Sequence, residues 1–372
     1  MSDRRLGGCW PTPEQTLLLQ AAVLGTQPAQ SAFDTWRSRV DINRLDYGSA
    51  RLLAFVYLNL RDRLTDDDVV TRAMRERYER AIADNDRRLV TLTSVIATFR
   101  DAGIDTLVLK GMALVATGHL PPGARPMDDL DVLVPEAQAI EARDLLLASG
   151  WRLVQPMNRD RLSVGHGAEL SSPAGDRLDL HWHVFAECCG PGADDVLWQA
   201  AETVRVNGVG TRVLCSADFL LHVTAHGLRW STVPPVRWAA DAVTIMRAAG
   251  DRFDWNRLVH QAIGRRLTLP VIDALRYLRD DLGIVVPAPI LRELQSAPVP
   301  PLIVAEHRVR MQTRSPSRQA RYHWIRHRRL SGRSWLGDLA RYPEYLRCVW
   351  GLPSRRDLAR HITLKLTSRW SF

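Results

Sequence analysis

The sequence predicts an α+β protein, a small mixed-sheet α/β unit flanked by N-terminal helices and a C-terminal helical bundle. Two observations predict it. Apolar residues recur at helical spacing from about Glu14 to Gly103 and again from Ala217 onward. Between these stretches the pattern changes to short β-branched and aliphatic runs separated by Pro and Gly. Composition agrees: 372 residues, 46% apolar and 24% charged, with 21 Pro and 23 Gly, exclude collagen-like, disordered and coiled-coil classes. At roughly 100–200 residues per domain the length suggests two or three domains. The expected regions are an N-terminal helical one over 1–103, the α/β core over 104–190, a helical bundle over 191–300 and a basic C-terminal region over 301–372.

The elements follow in order. Leu17, Leu18, Leu19, Ala22 and Val23 mark a first helix, and Leu52, Leu53, Phe55, Val56 and Leu60 a second. A third opens at the acidic run Asp66, Asp67, Asp68, which suits a helix N-terminus, and stops at Gly103. Ile104 to Leu109 reads as a buried strand and a short helix after Gly111 ends near Gly118. A Pro/Gly loop leads into a second strand, Asp129 to Val134; 136–150 is helical; Trp151 to Gln155 is a third strand. Ala168–Ser172 and Arg177–Phe185 read as a hairpin. Ala217–Trp230, Pro235–Gly250, Asp254–Leu267 and Pro270–Gly283 make four amphipathic helices.

The formal charge of +9 is unevenly placed. Residues 301–372 hold 16 Arg or Lys against four Asp or Glu, a net +12, which leaves −3 for residues 1–300. Of the 50 basic residues only Lys110 and Lys365 are lysines. Five cysteines at irregular spacing fit free thiols in a reducing compartment. The stretch from Met1 to Trp10 lacks a signal-peptide core, and no apolar run approaches the roughly 18 residues that span a bilayer, so a cytoplasmic location is expected.

Chemistry concentrates in three places. Asp129 and Asp131 fall on one face of the second strand, and two adjacent carboxylates are tolerable where a hard cation such as Mg²⁺ sits between them. Surface strands carry the same Asp-x-Asp pattern without a metal, so the pair alone leaves both readings open. Asp179 adds a third acid to an otherwise apolar strand, and alternation places His181 and His183 on its face. Lys110-Gly111 sits at a strand-to-helix junction, where glycine admits a phosphate to the backbone and Lys110 supplies a compact charge. Arg125 can brace that loop or contact a phosphate itself, and the two histidines are best used near phosphate.

Other constellations fail. His181, His183, Cys188 and Cys189 lack a usual zinc spacing. His222 and His226 lack the intervening Glu of a zinc protease and read as packed or interface residues. Gly208-Val-Gly210 is too short for a dinucleotide fingerprint, and neither a Walker loop nor a Gly-x-Ser-x-Gly elbow occurs. Arg321 to Arg329 interleaves aromatics with cations. This stretch can contact nucleic acid, but a helix laying its arginine stems over a core is favoured, and Trp335, Tyr342, Tyr345, Trp350 and Trp370 suggest that part of the region packs.

Leu109-Lys-Gly111, then Arg125-Pro-Met-Asp-Asp-Leu-Asp-Val-Leu-Val134, then Leu178-Asp-Leu-His-Trp-His183, resemble the uncharacterised nucleotidyltransferase family of the polymerase β-like nucleotidyltransferase superfamily. Ala217–His222, His226-Gly227, Arg237-Trp238, Asp241 and Asp254-Trp255 resemble its helical C-terminal portion, so the likeness spans roughly 90–290. The resemblance implies a nucleotidyltransferase core. It would move an NMP from an NTP, with ATP the expected donor, to a hydroxyl or phosphate of a peptide, sugar or other small-molecule acceptor, releasing pyrophosphate. It implies two Mg²⁺ ions, with Mn²⁺ an alternative. Asp129 and Asp131 would hold both, while Asp179 would bind the second and help deprotonate the acceptor. Lys110 and Gly111 would correspond to the phosphate loop, although the superfamily's usual Gly-Ser is Gly111-Met112 here. Two alternatives stand beside this reading: an enzyme that modifies RNA or tRNA through 301–372, and a non-catalytic nucleotide-binding module.

Overall fold

The computed structural model describes residues 9–65, 68–231, 234–332 and 334–367. A seven-stranded mixed sheet lies at its centre: β1 (Leu107–Val108), β2 (Leu130–Leu133), β3 (Arg152–Leu153), β4 (Gly167–Ser171), β5 (Arg177–His181), β6 (Glu202–Val206) and β7 (Val209–Val213). The spatial order is β3-β4-β5-β2-β1-β7-β6. β2 runs parallel to β5 and antiparallel to β1, and β7 runs parallel to β1. All four residues of β2 are buried, the carboxylate of Asp131 among the apolar Leu130, Val132 and Leu133.

The 33-residue helix Val69–Asp101 spans one side. Asp68 caps it by accepting from the Thr71 amide, and Gly103, at φ 71°, turns the chain out in the left-handed region that glycine adopts freely. Asp66 and Asp67 of the expected acidic run lie outside the described residues, as do Met1 to Gly8. The four helices expected beyond the core form at Ser216–Gly227, Arg237–Ala249, Trp255–Gly264 and Thr268–Asp280. One continuous apolar core joins N-terminal helices, sheet and bundle, running from Leu18 through Leu130 to Leu294.

The hairpin β6–β7 extends the sheet past residue 190, where sequence reasoning ended the α/β core and began the helical bundle. Its signal is Asn207-Gly208: both residues have positive φ (47° and 83°), the mark of a two-residue type I′ turn. Glu202, Thr203 and Arg205 are exposed, which hid the strand's apolar alternation.

The basic C-terminal region folds as helices Pro301–Arg310, Pro316–Ser331, Trp335–Val349 and Arg355–Thr367. Much of its charge is used internally. Arg310 pairs with Glu187 at 2.6 Å and Arg329 with Glu306 at 2.6 Å, while Arg326 donates to the carbonyls of Val164 (2.7 Å) and Ala186 (2.9 Å). Tyr345 is buried 4.8 Å from the His327 ring, whereas Trp335 is exposed. Trp370 lies outside the described residues.

Candidate active site

The parallel register of β2 and β5 places Asp131 opposite Asp179 and Leu133 opposite His181. One donor atom from each of Asp131, Asp179 and His181 lies within 4.8 Å of the others. The His181 Nε2 is 3.1 Å from Asp131 Oδ1, and both residues are only 4% exposed. The His181 Nδ1 is buried with no hydrogen-bond partner among the described residues. Two carboxylates and an imidazole nitrogen fit a divalent cation of the oxygen-preferring kind, and imidazole suits Mn²⁺ better than Mg²⁺. Asp129 lies just before β2 and lines the same cleft as Asp131.

The Lys110 junction reaches this cluster directly. After β1 the chain is extended at Leu109, turns through Lys110 at φ 51°, and enters helix Lys110–Ala116. A non-glycine residue in that region is strained by on the order of 1 kcal/mol, a cost that surrounding structure must hold in place. The Lys110 ammonium lies 2.5 Å from Asp131 Oδ1, the oxygen that also faces His181. Gly111 leaves no room for a Cβ, which would overlap the Arg125 guanidinium and the Met127 sulfur.

Arg125 braces the loop. Its Nε and Nη2 donate to the two carboxylate oxygens of Asp241 at 2.8 and 3.0 Å, and its carbonyl accepts from the Asn85 amide at 2.9 Å. Asn85 also donates to the Pro122 carbonyl at 2.6 Å, so the long helix fixes the Pro/Gly loop ahead of the acids. The Asn85 contact is not legible in the sequence, and Asp241 is legible there only as a motif residue, without its pairing to Arg125. The signal for Asn85 was an amide on the apolar stripe between Ile82 and Leu89.

His183 stands apart. β5 ends at His181, so strand alternation stops there. His183 Nδ1 lies 3.0 Å from Asp194, its Nε2 accepts from the Gly190 amide at 3.2 Å, and it lines a different cavity. His222 and His226 do line the cleft of Lys110 and Asp131, and His222 is 3% exposed with its Nδ1 unpartnered. Cys188 and Cys189 direct their thiols at backbone carbonyls, and all five cysteines are free.

The charges interact strongly. Burial and the neighbouring Asp131 push Asp129 up to about 6, and the same two causes raise Asp179. Burial acts on Asp131 in the same direction, but the Lys110 ammonium and the His181 bond outweigh it and hold this carboxyl well below its ordinary range. Desolvation acts to lower the half-buried Lys110, yet Asp131, Asp129 and Asp179 together raise it. Burial and then the Lys110 charge lower His222 to about 3, leaving its imidazole neutral.

A mixed sheet carrying in-register carboxylates on two central parallel strands, beside a glycine loop that opens a helix, has the architecture of a nucleotidyltransferase fold. The chain belongs to the uncharacterised nucleotidyltransferase family, whose model matches residues 48–283. That span reaches further into the N-terminal helices than the motifs did. Among curated proteins none matches. Among solved structures, the antibiotic-resistance factor ANT(2'')-Ia is 13% identical with a TM-score of 0.35, over 52% of this chain and 98% of its own. The same factor in complex with adenylyl-2''-tobramycin gives 14% and 0.34 over 49% and 99%. An antigenic nucleotidyltransferase-like protein from Paracoccidioides brasiliensis gives 13% and 0.37 over 57% and 94%.

Proposed function

We propose that the protein transfers an NMP from an NTP, ATP first among the candidates, to a hydroxyl or phosphate oxygen of a small-molecule, peptide or sugar acceptor. The observation that carries this reading is the buried Asp131–Asp179–His181 cluster next to the Lys110-Gly111 loop. In the reaction the acceptor oxygen attacks the α-phosphorus, the bond between that phosphorus and the bridging oxygen breaks, and pyrophosphate leaves with that oxygen. Asp131 and Asp179, with Asp129 beside them, would hold two divalent ions, Mg²⁺ or Mn²⁺. Bound there, such ions neutralise phosphate charge and orient the attacking and leaving oxygens.

The chain's own residues supply the rest. Lys110 exchanges its contact with Asp131 for a phosphate oxygen, and Gly111 lets the Arg125 guanidinium pack against the loop. Asp179 takes the proton from an acceptor hydroxyl at its carboxylate. Arg125 positions the loop through Asp241. Five free thiols suit a reducing cytoplasm, and among the described residues no helix is long and apolar enough to cross a membrane. The test is pyrophosphate release with each of four NTPs and a panel of acceptors. Metal-dependent release that needs both NTP and acceptor supports the reading, and binding of MgATP with no release under any pairing opposes it.

A further inference from the structure

Beside the cleft lies a second cavity of about 260 Å³, between the end of helix Ser216–Gly227 and helices Pro301–Arg310 and Pro316–Ser331. Arg229, Arg310, Arg314 and Arg318 line it together with Trp230 and Tyr322, and no carboxylate does. Among the described residues, of these four only Arg310 has an acidic partner, Glu187 at 2.6 Å. Among the described residues no carboxylate oxygen comes within 4.0 Å of Arg229, Arg314 or Arg318. Arg326 and Arg329 of helix Pro316–Ser331 are bonded to carbonyls or paired, whereas Arg229, Arg314 and Arg318 bring three guanidinium groups without an acidic partner among the described residues to one hollow.

The cavity is built rather than loose. The Trp230 amide donates to the Arg310 carbonyl at 2.6 Å, and Arg310 Nη2 donates to the Ala225 carbonyl at 3.2 Å. Arg314 lies over the Trp230 ring, 5.7 Å from its centroid, and Arg318 Nη1 donates to the Thr313 carbonyl at 2.9 Å. Burial and the adjacent Arg310 lower the Arg229 pKa, as expected of a cation crowded by like charge. Arg229 also ties the cavity to the cleft: its Nη2 is 3.3 Å from Nε2 of His226, which lines the wall facing Lys110 and Asp131.

We propose that this cavity binds an oxyanion, a carboxylate or phosphate, carried by the acceptor. The anion site itself follows from the three guanidinium groups without an acidic partner, Arg229, Arg314 and Arg318, whose planar forks match both oxyanions. Its assignment to the acceptor rests on the nucleotidyl-transfer reading, with the triphosphate at Lys110-Gly111 and the acceptor entering from the His226 side. A single hollow lined by Tyr322 and Trp230 suits one anionic group on a small molecule better than a nucleic-acid backbone.

The test is calorimetry on the full chain with inorganic phosphate, citrate, MgATP and tRNA, comparing wild type with Arg314→Gln/Arg318→Gln. Arg314 is exposed and Arg318 half-buried, so the double variant should fold, and unchanged circular dichroism checks it. We expect phosphate or citrate to bind the double variant at least about ten-fold more weakly than wild type. MgATP affinity should be unchanged in the double variant. Whether phosphate or citrate binds more tightly distinguishes the two oxyanions. No binding of either to wild type, or equal binding to the double variant, overturns the anion site. Parallel loss of MgATP overturns the acceptor assignment by making the cavity part of the nucleotide site, and tRNA binding lost without any phosphate or citrate binding overturns it in favour of nucleic acid. Intact oxyanion binding in a wild type that never binds MgATP defeats the nucleotidyl-transfer reading and leaves the anion site standing.

Discussion

Asp131 and Asp179 are register partners on two parallel neighbouring strands, and Lys110 reaches the first of them from the strand-to-helix turn. This relationship makes Asp131 the centre of the cleft. Asp131→Asn keeps the volume and removes the charge, and NMP transfer should fall by about 10²–10³-fold. Steady-state pyrophosphate release measures it, with circular dichroism to confirm the fold.

Lys110 is expected to serve the nucleotide rather than the fold alone. Lys110→Gln should weaken MgATP binding about ten-fold, the effect of losing one charge-assisted contact. Calorimetry checks this, and unchanged affinity would return Lys110 to the role of a counter-charge for Asp131.

The Gly111–Arg125–Asp241 stack predicts a stability effect. Gly111→Ala drives a methyl group into the Arg125 guanidinium and should cost about 1–3 kcal/mol. Asp241→Asn leaves the buried Arg125 without its anion, at a cost of about 3 kcal/mol. Urea unfolding measures both, and the double variant should cost less than the sum because both act on Arg125.

Buried neutral histidine makes stability pH-dependent. His222 is held near 3 against an ordinary 6.5, so unfolding takes up a proton throughout that interval. Its contribution is fully present above about pH 6.5 and declines as pH falls toward 3, by up to about 1.4 kcal/mol per unit. His166 and His226 are lowered in the same sense, by burial first and by neighbouring cations next. Urea midpoints at pH 7 and pH 5, without added metal, should differ, and His222→Gln should reduce the difference.

Much of this was legible in the sequence for physical reasons. The apolar run around Asp131 and the break in period at Gly103 located the core strands, because burial on both faces leaves a continuous apolar signal. Lys110 stood out against 48 arginines. What escaped depended on tertiary pairing. β6 shows too little apolar alternation to announce itself. The roles of Asn85 and Asp241 exist only where the long helix and the bundle meet Arg125. His183 was misjudged because alternation says nothing about where a strand ends, and β5 stops two residues earlier. The Arg229 cavity draws on two regions about 80 residues apart, from Arg229 to Arg310, and no local pattern joins them.

The acids on β2 and β5 are proposed to support NMP transfer from an NTP. Transfer of label from α-³²P-labelled ATP, with Mg²⁺ or Mn²⁺ and an acceptor panel enriched in carboxylates and phosphates, tests this role most directly. Metal-dependent labelling of an acceptor by the wild type is expected, falling by about 10²–10³-fold in Asp131→Asn and sharply in Asp179→Asn, with both variants still folded. Equal labelling by wild type and both variants would contradict it.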